Sequence, residues 1–98
     1  MKINNIKLIK KVTNGSTTGG SNPCKFLITY DNNKEKSIWI DIWYQPIYYI
    51  RGLFYKALRG NNFILSDIDN LEESFKMFVK QIANDICPWN EEEILKAN

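Results

Sequence analysis

Trp39, Asp41 and Trp43 alternate in the run SIWIDIWYQP, and Tyr48, Arg51, Tyr55 and Arg59 follow at spacings of three, four and four. Neither set is a catalytic constellation; both have the chemistry of contact. Trp buries a large rigid surface and keeps one N–H to satisfy, which makes it a common interface anchor. On a strand, Trp39, Asp41 and Trp43 point the same way, with side-chain origins about 6.5–7 Å apart. On a helix, Tyr48, Arg51, Tyr55 and Arg59 form one stripe. Arg interleaved with Tyr can lie along phosphates, stack on bases or form an interface hot spot. These seven side chains are the candidate partner-binding residues.

Other chemistries lack their parts. The chain has no histidine, which removes the usual zinc sites, Ser-His-Asp triads and Cys-His dyads. Cys24 and Cys87 stand far apart with no neighbouring cysteine, and read as two reduced, partly buried thiols. A disulfide between them stays open, because sequence does not give the Cα separation it needs. The run TNGSTTGGSNP (13–23) has glycines but no GK[ST] ending, so it is no phosphate-binding P-loop. Asp67, Asp69, Glu72, Glu73 and Glu91–Glu93 cluster near two expected helix starts, where acids complement the helix dipole. The other reading of these acids is imitation of a phosphate backbone. A carboxylate pair doing acid–base work would need a pocket and a raised pKa, and the sequence argues for neither. The expectation is a non-enzyme with no cofactor and no metal.

The elements that position the candidates follow from periodicity. Residues 2–12 read as a strand, with Ile6, Leu8 and Val12 on one face, Lys7 and Lys11 on the other, and Ile9 out of phase. Residues 13–23 read as a flexible connection. CKFLITY, DNNKEK and SIWIDIW then make a β-hairpin over 24–43. Its core face holds Phe26, Ile28, Ile38, Ile40 and Ile42, and its other face Lys25, Thr29, Trp39, Asp41 and Trp43. Pro46 suits a helix start, followed by Ile47, Ile50, Phe54 and Leu58, with Gly60 and Asn61–Asn62 as the stop. Gly52 within that helix either weakens it or marks a close backbone contact. The competing reading makes IYYIRGLFY a further strand. FILS (63–66) suggests a short edge strand, and Asp69 with Glu72 a capping box. Leu71, Phe75, Phe78, Ile82 and Ile86 carry the second main helix toward Pro88, and Asn90 with Glu93 opens a short C-terminal one. The expected fold is α+β: a small antiparallel sheet of about three strands, possibly a short fourth, packed against two main helices. Residues 1–98 are read as a single domain.

Charge is split along the chain. Residues 1–66 carry ten Lys or Arg against Asp31, Glu35 and Asp41, or +7; residues 67–98 carry eight acids against three Lys, or −5. Such a split can steer partners of either sign to different regions. No apolar run approaches the roughly 18–20 residues that span a bilayer. The start MKINNIKLIKKV alternates Ile with Lys and Asn and lacks a signal-peptide core. The expected location is cytoplasmic, with no membrane partner.

In layout, this short α+β chain with acidic and basic patches and abundant Asn, Lys and Ile resembles small phage-encoded inhibitors of bacterial defence nucleases, including anti-CRISPR proteins. The resemblance carries over no functional residue. It implies a protein partner, such as a CRISPR effector or its guide nucleoprotein complex, blocked by stoichiometric contact. The alternative is a nucleic-acid-binding accessory protein. Three strands followed by a helix is similar to the sheet-plus-helix DNA-binding domains of some integrases. Lys7, Lys10, Lys11, Lys25, Arg51 and Arg59 would then meet phosphates.

Overall fold

The computed structural model describes residues 1–12, 22–42 and 46–98. β1 (Ile3–Lys11), β2 (Asn22–Tyr30) and β3 (Lys34–Ile42) form an antiparallel sheet in the order β1-β2-β3. Three α-helices follow: α1 (Ile50–Gly60), α2 (Leu71–Ile82) and α3 (Glu91–Ala97). Single 3₁₀ turns at Ile47–Tyr49 and Leu65–Asp67 lead into α1 and precede α2. This is the expected α+β fold. Among the described residues the sheet has three strands, and no short fourth forms.

The hairpin register follows from alternation. Phe26 faces Ile38 and Cys24 faces Ile40, so the even-numbered residues of both strands meet the helices. Phe26, Ile28, Ile38, Ile40 and Ile42 are all buried, as their pattern requires. Asp31 and Asn33 take positive φ (49° and 63°) in the turn, a conformation Asn and Asp tolerate better than other non-glycine residues.

β1 departs from simple alternation. Its register slips by one residue between Ile3 and Asn5 and again between Leu8 and Lys10. Each slip is a bulge that flips the following side chains relative to a period of two. The first bulge lets Ile3 and Ile6, three apart, both reach the core. The second leaves Ile9 44 % exposed, which explains the residue that fell out of phase. The outer edge of β1 is closed by α2. Ile3 N–H donates to Asn70 Oδ1 (2.9 Å), Asn70 Nδ2 donates to Ile3 O (2.7 Å), and Leu8 N–H donates to Gln81 Oε1 (2.9 Å). An edge strand tied down this way no longer offers those groups to another chain.

The core lies between the sheet and the helices. Phe54 of α1 stacks on Phe78 of α2 with centroids 4.6 Å apart, and Phe78 meets Phe26 of β2 at 5.3 Å. Each fully buried side chain of this size contributes about 1.5–3 kcal/mol. Ile50, Phe54 and Leu58, spaced by four, form the buried stripe of α1. The segment 47–55 is therefore helical, and the strand reading is overturned.

Several local expectations are corrected. Pro46 opens a 3₁₀ turn, and the α-helix begins at Ile50. Gly60 ends α1, while the left-handed conformation past the helix falls to Asn62 (φ 69°). Gly52 has open space around it, so no close backbone contact explains it. FILS is not a strand: Phe63 is buried against Tyr30, and residues 65–67 form a 3₁₀ turn. Asp69 does not cap α2, because its carboxylate takes the Met1 amine at 3.1 Å. Asn70 is the N-cap residue, yet its side chain is occupied by β1. α2 ends at Ile82, short of Ile86, because Ala83 turns extended and Asn84 adopts φ 64°. That break brings Cys87 into the core. The capping box of Asn90 and Glu93 forms as expected. Asn22 and Pro23, read as the end of the loop, are the first residues of β2; residues 13–21 lie outside the described residues.

Candidate functional site: the open face of the sheet

Pleating sends the odd-numbered residues of β2 and β3 away from the helices. With the β1 register, this builds three rungs across the sheet: Asn5–Thr29–Glu35, Lys7–Leu27–Ser37 and Lys10–Lys25–Trp39, with Pro23 opposite Asp41 beyond them. The ring contacts and hydrogen bonds between sheet and helices, among the described residues, come from the opposite face or the β1 edge. Among the described residues no helix covers these rungs, and they form the open face. Trp39 is 48 % exposed on it, Leu27 is half-buried, and Asp41 is exposed.

The electrostatics of this face are unbalanced locally. Lys10 and Lys25 sit directly opposite each other, and like charges in that relation are destabilising. The ion pairs among the described residues are Met1 with Asp69 and Arg51 with Glu72, so neither lysine has a carboxylate within ion-pair distance. The Lys25 amine lies 5.8 Å from the Trp39 ring centroid, a cation–π contact at the long end of the useful range. Glu35 and Asp41 put negative charge on β3. The face thus runs from basic on β1 and β2 to acidic on β3, with Leu27 on β2 and Trp39 on β3 as its apolar side chains.

The helical candidates lie in the other layer and do not join this face. Tyr48 is 60 % exposed in the 3₁₀ turn and packs edge-on against Tyr49 at 4.6 Å. Arg59 is exposed beside a shallow cleft lined by Phe63, Ile64 and Leu65. Arg51 and Tyr55 are occupied inside the molecule. Arg51 Nη1 donates to Glu72 Oε2 (2.6 Å) and Tyr55 Oη (2.9 Å), and Nη2 donates to Glu72 Oε1 (3.0 Å) and Asn98 O (3.3 Å). Its guanidinium carbon lies 4.3 Å from the Phe75 centroid. The Glu72 hydrogen bonds push the Arg51 pKa up, and the same bonds hold the Glu72 carboxyl below its usual range. Asn98 adds a tie, accepting from Arg51 N–H (2.9 Å) and donating to Ile47 O (3.0 Å). Trp43 lies outside the described residues.

The acidic residues are likewise distributed over separate tasks: Asp69 on the Met1 amine, Glu72 on Arg51, Glu93 in its cap. Among the described residues no three Cys, Asp or Glu gather as a metal-binding group. Both cysteines are free and buried, and burial pushes both thiols up from their ordinary pKa. Among the described residues no helix is long and apolar enough to cross a membrane.

Sequence reasoning placed Lys25, Trp39 and Asp41 on one face but did not align Lys10 with Lys25. The signal was the phase error at Ile9, which marks the bulge that brings Lys10 into register. No protein-family model matches this chain, and no curated protein or solved structure matches it either.

Proposed function

We propose that this chain is a small, non-enzymatic, cytoplasmic binding protein that acts by stoichiometric contact with another protein. The observation that carries the reading is the open sheet face, where a half-exposed Trp39 and a half-buried Leu27 lie between unpaired charges of both signs. An apolar centre with a polar, charge-patterned surround is the anatomy of a protein interface. The resemblance in layout suggests the class of partner: a host defence nuclease such as a CRISPR effector, with the chain acting as a phage or mobile-element inhibitor. Tyr48 and Arg59 supply a second, smaller contact from the helical layer.

The test is a cleavage assay of candidate defence nucleases with the chain added at equimolar ratio. Inhibition lost on Trp39→Asp supports both the function and the face. Full inhibition by that variant removes the face, and no inhibition of any effector removes the nuclease class.

A second reading, direct nucleic-acid binding, is favoured by Lys7, Lys10 and Lys25, which have no carboxylate partner. Glu35 and Asp41 on the same face oppose it, because a phosphate backbone is negative along its whole length. A gel shift of short DNA or RNA at about 50 mM salt, weakening steeply as salt rises, would favour this reading.

A further inference from the structure

We propose that the open face also receives a second copy of the same chain, packed sheet to sheet; this rests on reading that face as a protein-docking surface. The argument is the order of charges across the rungs. A two-fold axis running along β2 in the plane between two facing sheets lays β1 of one copy over β3 of the other. Two facing sheets pack with their strands within about 30° of parallel, so the rungs stay nearly in register.

In that arrangement Lys10 of one copy faces Trp39 of its partner, with Asp41 one rung further along. Lys7 faces Ser37, with Glu35 one rung back. The symmetry repeats both contacts, as an isologous interface requires. Leu27 lies on β2 near the axis and supplies the apolar centre. Lys25 is also on β2, so the axis sets it opposite the partner's Lys25; the Trp39 ring of its own chain, 5.8 Å away, draws each amine toward β3 and off the axis. A partner of one charge sign satisfies only half of this face. The face itself presents both signs, basic on β1 and acidic on β3. The pairs the axis makes between them are diagonal, one rung apart, with the Lys25 pair at the axis as the like-charged contact. A second copy also gives Lys7 and Lys10 a carboxylate within one rung, which their own chain does not provide.

The footprint sets the strength. Nine-residue strands at a rise of about 3.3 Å, three of them about 4.8 Å apart, give a patch of about 30 by 14 Å. That is at the small end of specific interfaces, so the dimer is a weak one that exchanges with other occupants of the face.

The experiment is sedimentation velocity of the whole chain from about 10 µM to about 1 mM at low salt, the range in which so small an interface dissociates. The expected result is a mass rising toward twice that of the chain, and falling back as salt screens the contacts. Lys10→Glu and Asp41→Lys should each weaken association by about tenfold or more, because each sets like charges one rung apart across the interface, twice over by symmetry. A one-to-one mixture of the two folded variants should associate again, since the carboxylate introduced at position 10 meets the amine introduced at position 41. A native protein that stays monomeric overturns the proposal, as does a mixture that fails to associate. A monomeric native protein that still inhibits a nuclease through Trp39 leaves the proposed function standing, so the two failures are distinguishable.

Discussion

Replacing Arg51 with Ala separates a structural role from a binding one. The guanidinium ties α1 to α2 and to the end of α3: two hydrogen bonds to Glu72, one to Tyr55, one to the Asn98 carbonyl, and a 4.3 Å approach to the Phe75 ring. Glu72 is 61 % exposed, which limits the ion pair to about 1 kcal/mol at most. The ring contact adds about 0.5–1 kcal/mol. The bonds to Tyr55 and Asn98 together add about 1 kcal/mol, the latter being long. The loss for Arg51→Ala is therefore about 2–3 kcal/mol, which lowers Tm by about 8–24 °C in a domain of this size. Urea denaturation followed by far-UV circular dichroism gives the free energy, and Glu72→Ala with the double variant gives the coupling, expected at about 0.5–1 kcal/mol. A loss under about 0.5 kcal/mol would refute the reasoning, since surface substitutions lie within that range. Arg51 would then be free to bind a partner, as its position in the Tyr–Arg stripe suggests.

Three further outcomes follow from particular residues. Gly52→Ala should stabilise the chain by about 0.5–1 kcal/mol, because the site is exposed, helical and open around the added carbon; a thermal melt that moves down contradicts the helix at this position. The Arg51–Glu72 pair should give an acid dependence. Glu72 is held below its ordinary carboxylate pKa in the folded chain, so its stabilisation is present above the unfolded value and is lost as pH falls through the folded one. Glu72→Gln should therefore flatten the stability profile at acid pH, and an unchanged profile by urea titration at several pH values counts against the pair. Cys24 and Cys87 are buried with raised thiol pKa values, so a disulfide-exchange reagent at neutral pH should label the native chain far more slowly than the urea-unfolded chain; equal rates contradict their burial.

The hairpin and both main helices could be read from the sequence because each has one period over its whole length. Ile38, Ile40 and Ile42 on the strand, and Ile50, Phe54 and Leu58 on the helix, face a single core. The misses share a physical cause. β1 contains two bulges, and a period-two reading has no place for a residue that changes phase. Asn70 and Asp69 carry the side chains of a helix start, but tertiary partners claim them: the β1 backbone for one, the Met1 amine for the other. Ile86 keeps the helical spacing although the helix has ended, because the turn that follows delivers it to the same side. Among the candidate residues, the alternation of Trp39 and Asp41 was enough to place them together. Of Tyr48, Arg51, Tyr55 and Arg59, the last three lie on α1, while Tyr48 sits in the 3₁₀ turn ahead of it and leaves the single helical stripe. Spacing does not show that a carboxylate twenty-one residues away already holds the central arginine.

The open face is tested most directly by affinity capture from host lysate with nuclease treatment, comparing the native chain with Trp39→Asp and with Arg59→Ala. The expected result is one protein retained in stoichiometric amount by the native chain and by Arg59→Ala, unaffected by nuclease, and lost with Trp39→Asp. Retention by Trp39→Asp, or release by nuclease, contradicts a protein-docking surface on the face opposite the helices.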